Sequence, residues 1–274
     1  MNKSVLRSLS AFLYFFSCIF LPSIFFAAVA QAYTVVGYEG EPFYFKNGTA
    51  GITGSCHELV AELCARQKLT CKFKVASIPK ILEMMKRGEA DISCPLAFSE
   101  ERQEFISYSE KIFRTHYSFF ATPDVGKRIT KLEDLESYSV SVFAPSIMSE
   151  TLQKINTDLG EIFTVVHENT EMNSLFKAEK VAKTLGFTNG DIGKHWIQKS
   201  KSSLVELPTG QREIYYYVGF SKKSLKAEQA LHLTALLETM RREKYLQKLA
   251  QKYQLQSDDV LVKNELPKTE TPPP

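Results

Sequence analysis

After the first 30 residues the chain has no apolar run long enough to cross a bilayer, so no later span is expected. It has no strong excess of either charge; the formal net charge of +3 argues for no particular partner. No basic patch carries interleaved aromatics, so a nucleic-acid partner is not expected. Cysteine is scarce, and there is no C-x-x-C and no histidine pair beside a cysteine, so neither a zinc site nor any other metal or cofactor is expected. His57, His116, His167, His195 and His232 are scattered without ligand spacing. The sequence also lacks G-x-S-x-G, H-E-x-x-H, a P-loop and G-x-G-x-x-G. A nucleophile triad could still assemble from distant residues, but the expectation is a protein without catalysis.

What is present begins with an export signal. Lys3 and Arg7 precede an apolar stretch from Leu9 to Ala30, and Ala30-Gln31-Ala32 is a small-residue cleavage site. Residues 1–32 therefore read as a cleaved signal peptide, which predicts a periplasmic protein; retention of the long apolar stretch as an anchor is the alternative. Four cysteines follow the leader: Cys56, Cys64, Cys71 and Cys94. An even number in an exported chain favours disulfides. Cys64 and Cys71 flank a short segment between a helix end and a strand, which predicts a bridge. Cys56 and Cys94 are then a possible second pair, or free buried thiols.

Apolar periodicity divides the chain into two β-α-β-α-β sets. The first has strands at Tyr33–Gly37, Cys71–Val75 and Asp91–Cys94. A helix opens at the capping-box pattern Ser55-Cys56-His57-Glu58, and a second starts near Pro79 and stops at Gly88. The second set has strands at Tyr138–Phe143, Ile162–Val166 and Thr184–Phe187. Its helices are capped by Ser146 and Asn169. A further strand at Ile214–Phe220 precedes a long amphipathic region, Ser224–Tyr253. Residues 255–274 are polar, end in three prolines and read as a disordered tail. Such alternation implies parallel sheets with right-handed crossovers.

Within the first set, Gly88 to Arg102 is the most informative segment. A helix ends, a short strand follows, Ser99 can cap a new turn, and Arg102 arrives just past the strand's carboxyl end. Open α/β sheets bind ligands at that edge. A guanidinium there suits a carboxylate, because it donates two parallel hydrogen bonds. The plainer reading pairs Arg102 with Glu101 or Glu104 on the surface.

The ordered signals Pro42-Phe43, Gly54 to Leu59, Gly88 to Asp91, Ser99-Glu100-Glu101-Arg102, Ile106-Ser107-Tyr108-Ser109, Leu132-Glu133-Asp134-Leu135 and Tyr217-Val218-Gly219-Phe220-Ser221-Lys222 together resemble the family-3 periplasmic solute-binding proteins. Those include the histidine and the lysine/arginine/ornithine binders of bacterial uptake systems. The resemblance covers about Tyr33 to Gln254 and also extends to the Cys64–Cys71 loop. It implies a two-lobed α/β fold, each lobe an α/β sandwich, joined by two hinge strands. Lobe one would comprise residues 33–119 and 220–254, and lobe two residues 120–219. The hinges would fall near Phe119–Thr122 and Tyr216–Gly219, and a ligand would bind in the cleft, which closes by hinge motion.

By the same resemblance Arg102 takes a ligand carboxylate, Pro42 and Phe43 belong to a covering loop, and Ser146 opens a helix whose N-terminus helps bind anions. Pro95, Ala97 and Ala144-Pro145 depart from the family pattern. The acid that should take an α-amino group aligns with Phe187, leaving Asn189 and Asp191 as later candidates. The ligand-binding candidates are thus Arg102, Phe43, Tyr38, Ser146 and Asn189. Tyr44 and Phe45 share the aromatic reading with Tyr38 and Phe43, with core packing as the alternative. Trp196 and His195 either line lobe two or pack in it.

Three functions remain open. The first is a monomeric solute-binding protein that hands a small carboxylate-bearing, amino-acid-like solute to an ABC-type permease. The second is a dehydratase-like enzyme on the same scaffold, with Glu39, Glu58 or His57 as acid or base. The third is a ligand-sensing partner of a membrane sensor.

Overall fold

The computed structural model describes residues 32–257. The expected signal peptide lies outside the described residues, except for Ala32, which begins strand β1 (Ala32–Gly37). Two-residue strands β2 (Phe45–Lys46) and β3 (Ile52–Thr53) pair as a small separate hairpin. Helix α1 (Ser55–Arg66) buries Leu59, Val60, Leu63 and Cys64. Its start corrects the capping-box reading. Gly54 is the cap, Ser55 Oγ has no partner, and Glu58 accepts from Lys252 and Tyr253 instead. Carbonyls of the preceding loop take the orphan donors: Ser55 N–H donates to Pro42 O at 3.0 Å and Cys56 N–H to Phe43 O at 2.9 Å. This close approach requires Gly54, where φ is +117° and a Cβ would lie 2.3 Å from Phe43 O.

The next elements follow the expected order. Strand β4 (Thr70–Val75) leads to α2 (Ile78–Arg87), which has Pro79 in its first turn and Gly88 in the left-handed region at its end. Strand β5 (Ile92–Ala97) runs past the expected end at Cys94. A short 3-10 helix, Glu101–Glu104, then forms without a cap from Ser99. Strands β6 (Ile106–Tyr108) and β7 (Phe113–Ala121) and the single turn α3 (Pro123–Gly126) complete this half.

In the other half, β8 (Ser139–Phe143) is followed by α4 (Ile147–Asp158), where Ser146 Oγ accepts from Ser149 N–H as a cap should. After β9 (Thr164–Glu168), helix α5 (Glu171–Lys180) is capped by Thr170, one residue later than the expected Asn169. Strand β10 (Thr184–Asn189) leads directly into α6 (Gly190–Ser200). The short β11 (Val205–Glu206) and the long β12 (Arg212–Ser221) come next. The expected amphipathic region is two helices, α7 (Ala227–Arg242) and α8 (Tyr245–Tyr253), broken where Lys244 takes φ +62°. Gln256 and Ser257, expected in a disordered tail, form β13 against β7. Residues 258–274 lie outside the described residues.

Among the described residues, eleven strands join one sheet, with central order β4-β1-β5-β12-β7-β10-β8-β9. The triplets β4-β1-β5 and β10-β8-β9 are parallel. Between them β7 and β12 run antiparallel to each other and to their outer neighbours. Strand partners change at Tyr117 in β7 and at Tyr216 in β12; the hinges were expected near Phe119–Thr122 and Tyr216–Gly219. The fold is thus two α/β lobes on two long shared strands. Each lobe buries both faces of its inner parallel strands, while the edge strand β4 leaves Thr70, Lys72 and Lys74 exposed. In the first lobe Phe43, Leu59, Phe113 and Leu237 fill one face, and Val36, Ile81 and Met85 the other. In the second, Phe119, Val140 and Leu152 fill one face, and Phe120 and Leu175 the other. Both cysteine pairs lie in the first lobe, Cys64–Cys71 and Cys56–Cys94, with Cα atoms 6.3 and 5.5 Å apart.

Candidate functional site

The parallel strands of both lobes end at the cleft between them. In the first lobe β5 stops at Ala97, and the 3-10 turn after it carries Arg102 inward, where it is 9% exposed. Among the described residues no carboxylate comes within ion-pair distance of this guanidinium, so the surface pairing with Glu101 or Glu104 is absent. Its one backbone contact is Nη1 to Ala97 O at 3.5 Å, at the limit of a hydrogen bond. The Tyr108 hydroxyl is its other neighbour, and the guanidinium offsets part of the upward push that burial gives this phenol. A buried cation with five donors and so few acceptors is costly unless an anion joins it.

Facing it from the second lobe is a carboxylate the sequence reading missed. Glu171 is the first residue of α5 and is 5% exposed. It accepts from Thr188 Oγ1 and from Asn189 N–H at 3.3 Å, and the Tyr38 hydroxyl lies close enough to favour its charged form. Burial pushes its carboxyl above the usual range, with these hydrogen bonds opposing the shift. The N-terminus of α5 favours the anion too. An acid in a helix's first turn looks ordinary in a sequence. What would have flagged it is its place after Thr170, just beyond the carboxyl end of β9.

Arg102 and Glu171 line one small compartment of about 50 Å³, together with Tyr38, Tyr117, Phe143 and Ser146. Ser146 is consumed as a cap, accepting from Ser149 N–H and donating to Phe143 O at 2.7 Å. The N–H groups of Ile147 and Met148 on this wall have no partner among the described residues. Two cavities flank the compartment. One, about 410 Å³, reaches Arg102 and Ser146 past Lys86 and Glu150. The other, about 720 Å³, shares Tyr38, Phe143 and Glu171 with the compartment and extends past Trp196, Met172 and Ile192. Across its wall Glu41 of the first lobe pairs with His195 at 2.9 Å and Lys199 at 2.6 Å on α6.

The structure therefore brings together Arg102, Tyr38 and Ser146 but corrects two expectations. Phe43 does not line the cleft. It is fully buried in the first-lobe core, its ring 4.9 Å from that of Tyr216 and 6.1 Å from that of Phe113, because its carbonyl is tied to the start of α1. Asn189 is also fully buried and has no capacity left for a ligand. Its Oδ1 caps α6 by accepting from Asp191 and Ile192 N–H, and its Nδ2 donates to Thr115 Oγ1 and the Tyr216 hydroxyl. Asp191 faces the shared strands, accepting from Thr115 Oγ1 at 2.6 Å. Two of the three acid/base candidates lie away from the cleft walls: His57 packs between the Tyr44 and Phe73 rings, and Glu58 is held by Lys252 and Tyr253. Glu39 is on the wall of the large cavity.

Comparison with known proteins accords with this architecture. A histidine kinase sensor domain described as similar to periplasmic binding proteins superimposes with a TM-score of 0.73 at 19% identity, covering 82% of this chain and 97% of that one. An ancestral arginine-binding protein bound to arginine gives 0.72 at 17% identity, with 81% and 97% covered. An ancestral amino-acid-binding protein described as a precursor of cyclohexadienyl dehydratase gives 0.71 at 15% identity, with 81% and 94% covered. No curated protein sequence matches the chain. At these identities the likeness establishes the fold alone. The model of the bacterial extracellular solute-binding proteins, family 3, matches residues 34–256, and the chain belongs to that family.

Proposed function

We propose that this protein captures a small zwitterionic solute, an α-amino acid or close analogue, and presents it to a membrane permease from the periplasm. Arg102 of the first lobe takes the carboxylate, aided by the free N–H groups at the start of α4, and Glu171 of the second lobe takes the ammonium. The observation that carries this reading is the buried Arg102 guanidinium without a carboxylate partner, on the wall of the compartment that Glu171 shares. Each charge is costly alone, and a zwitterion satisfies both, so ligand and lobe closure are coupled. The amino-acid-binding proteins among the similar structures support the solute class. The test is thermal shift and calorimetry against amino acids, their deaminated keto acids and their decarboxylated amines. Only the zwitterions should bind well, and equal binding of keto acids would remove Glu171 from the site.

One observation favours a second reading of the partner. A histidine kinase sensor domain shares the fold across nearly its whole length, so a closed, ligand-loaded form could report to a sensor. Co-purification with a permease or with a sensor kinase separates the two. A catalytic reading, suggested by the dehydratase precursor, would use Glu171 as acid; turnover of prephenate or arogenate tests it.

A further inference from the structure

The small compartment and the 720 Å³ cavity share three residues, Tyr38, Phe143 and Glu171. Glu171 belongs to the head-group site. The other two line both spaces and so stand where the small compartment meets the larger cavity. Tyr38 follows β1 in the first lobe, and Phe143 ends β8 in the second. Their rings are stacked, with centroids 5.2 Å apart and planes 13° from parallel. Because each ring belongs to a different lobe, opening of the cleft separates them and closure returns them face to face.

We propose that Tyr38 and Phe143 clamp a planar ring of the solute between them, so that the preferred ligand is an α-amino acid with an aromatic side chain. The inference rests on the head-group reading above and adds the side-chain class. A ring entering between the pair meets an aromatic face from each lobe once the two rings, stacked on each other at 5.2 Å in this structure, have moved apart by one ring thickness as the cleft opens. Beyond it the wall continues with Trp196, Met172, Ile192 and Phe45, leaving ample room for a bicyclic ring.

The charges on that wall argue against a basic side chain. Glu41 already holds two cations, His195 and Lys199. Glu39 and Lys46 are of opposite sign and sit at the exposed mouth. A guanidinium or ammonium tip would have to displace Lys199 from Glu41, at the cost of an existing ion pair, or reach Glu39 at the exposed mouth, where water screens the pair and it gains little. An aromatic ring has no such cost.

Trp196 is the chain's single tryptophan and lies on the cavity wall, so its fluorescence reports filling directly. The experiment titrates the mature protein with L-phenylalanine, L-leucine, L-arginine and glycine, by calorimetry and by Trp196 fluorescence. The wild type is compared with Tyr38→Leu, Phe143→Leu and Arg102→Ala. Phenylalanine should bind about tenfold more tightly than leucine or arginine and shift the Trp196 emission. Tyr38→Leu should bring phenylalanine and leucine to about equal affinity, while Arg102→Ala removes binding of every amino acid. Phe143 is also part of the second-lobe core, so the less buried Tyr38 carries the decision should Phe143→Leu not fold. Arginine or glycine binding as tightly as phenylalanine, with dependence on Arg102 intact, overturns the clamp and leaves the head-group site standing. An undiminished preference for phenylalanine in folded Tyr38→Leu also overturns the clamp. Absence of binding by all four ligands overturns the head-group reading and the clamp with it.

Discussion

The two lobes have the same layered construction but are secured differently and bring opposite charges to the cleft. The first holds both disulfides, and the cation Arg102 projects from a short turn past β5. The second has no cysteine among its described residues, and its carboxyl group, Glu171, stands on the first turn of a regular helix. A covalently tied lobe thus offers a charge on a loop, and an untied lobe offers one on a helix. The cost of burying each charge falls on its own lobe until a ligand joins them.

Breaking the staples should produce the largest effect. Cys56–Cys94 closes a separation of 38 residues and Cys64–Cys71 one of 7. In the chain-entropy account, replacing the first pair by serine costs about 4 kcal/mol and the second about 2 kcal/mol. Urea unfolding should rank them so. Hydrogen exchange should then quicken in α1 and β5 while α4 and α5 keep their protection; equal acceleration in both lobes would mean that they unfold as one.

Next in size is the cation. Arg102→Met should weaken amino-acid binding by about 100-fold or more. The same change should raise ligand-free stability by about 1 kcal/mol, because it removes a buried charge that has no carboxylate partner. A drop in melting temperature would instead make Arg102 a structural residue.

Glu171→Gln should cost amino acids about tenfold in affinity while leaving carboxylates without an amine unchanged. The pH dependence sharpens this. The folded-state carboxyl is raised, so ligand-free folded protein holds more protons than the unfolded chain across the window between the two values. Stability should therefore fall as pH rises through it. Binding an ammonium favours the ionised form, so affinity should fall as pH drops through the same raised value, with proton release measurable by calorimetry in different buffers. Glu171→Gln should abolish the affinity slope and lessen the stability slope, part of which remains because burial also raises the Asp191 carboxyl.

The smallest effect is expected at Glu41, whose partners across the cleft are partly exposed. Glu41→Gln should change ligand dissociation by about threefold at most, and high salt should have the same effect on wild type.

Much of the fold was legible because its signals are local. Gly88 ends α2 since a left-handed residue satisfies the last carbonyls, and Ser146 caps α4 through its own hydroxyl. The Cys64–Cys71 proximity follows from a short turn between α1 and β4. The readings that failed depended on distant backbone. Ser55 and Glu58 have capping-box spacing, but the carbonyls of Pro42 and Phe43 arrive first and take the donors. That contact also turns Phe43 into the core and leaves Tyr38 to face the cleft. Asn189 was a fair ligand candidate until β10 ran straight into α6 and consumed its amide as a cap.

By itself the sequence determined the alternation of strands and helices, the ends marked by Gly88 and Ser146, and the delivery of an arginine to the edge of a parallel sheet. These follow from periodicity, glycine and short polar caps, whose effects reach only a few residues. Only the tertiary structure decided that Glu171 faces Arg102, that Tyr38 meets Phe143, and which aromatic side chains are core and which are wall. Each of these pairs joins segments far apart in the chain. Their meeting depends on how β7 and β12 set one lobe against the other, and no local preference encodes that.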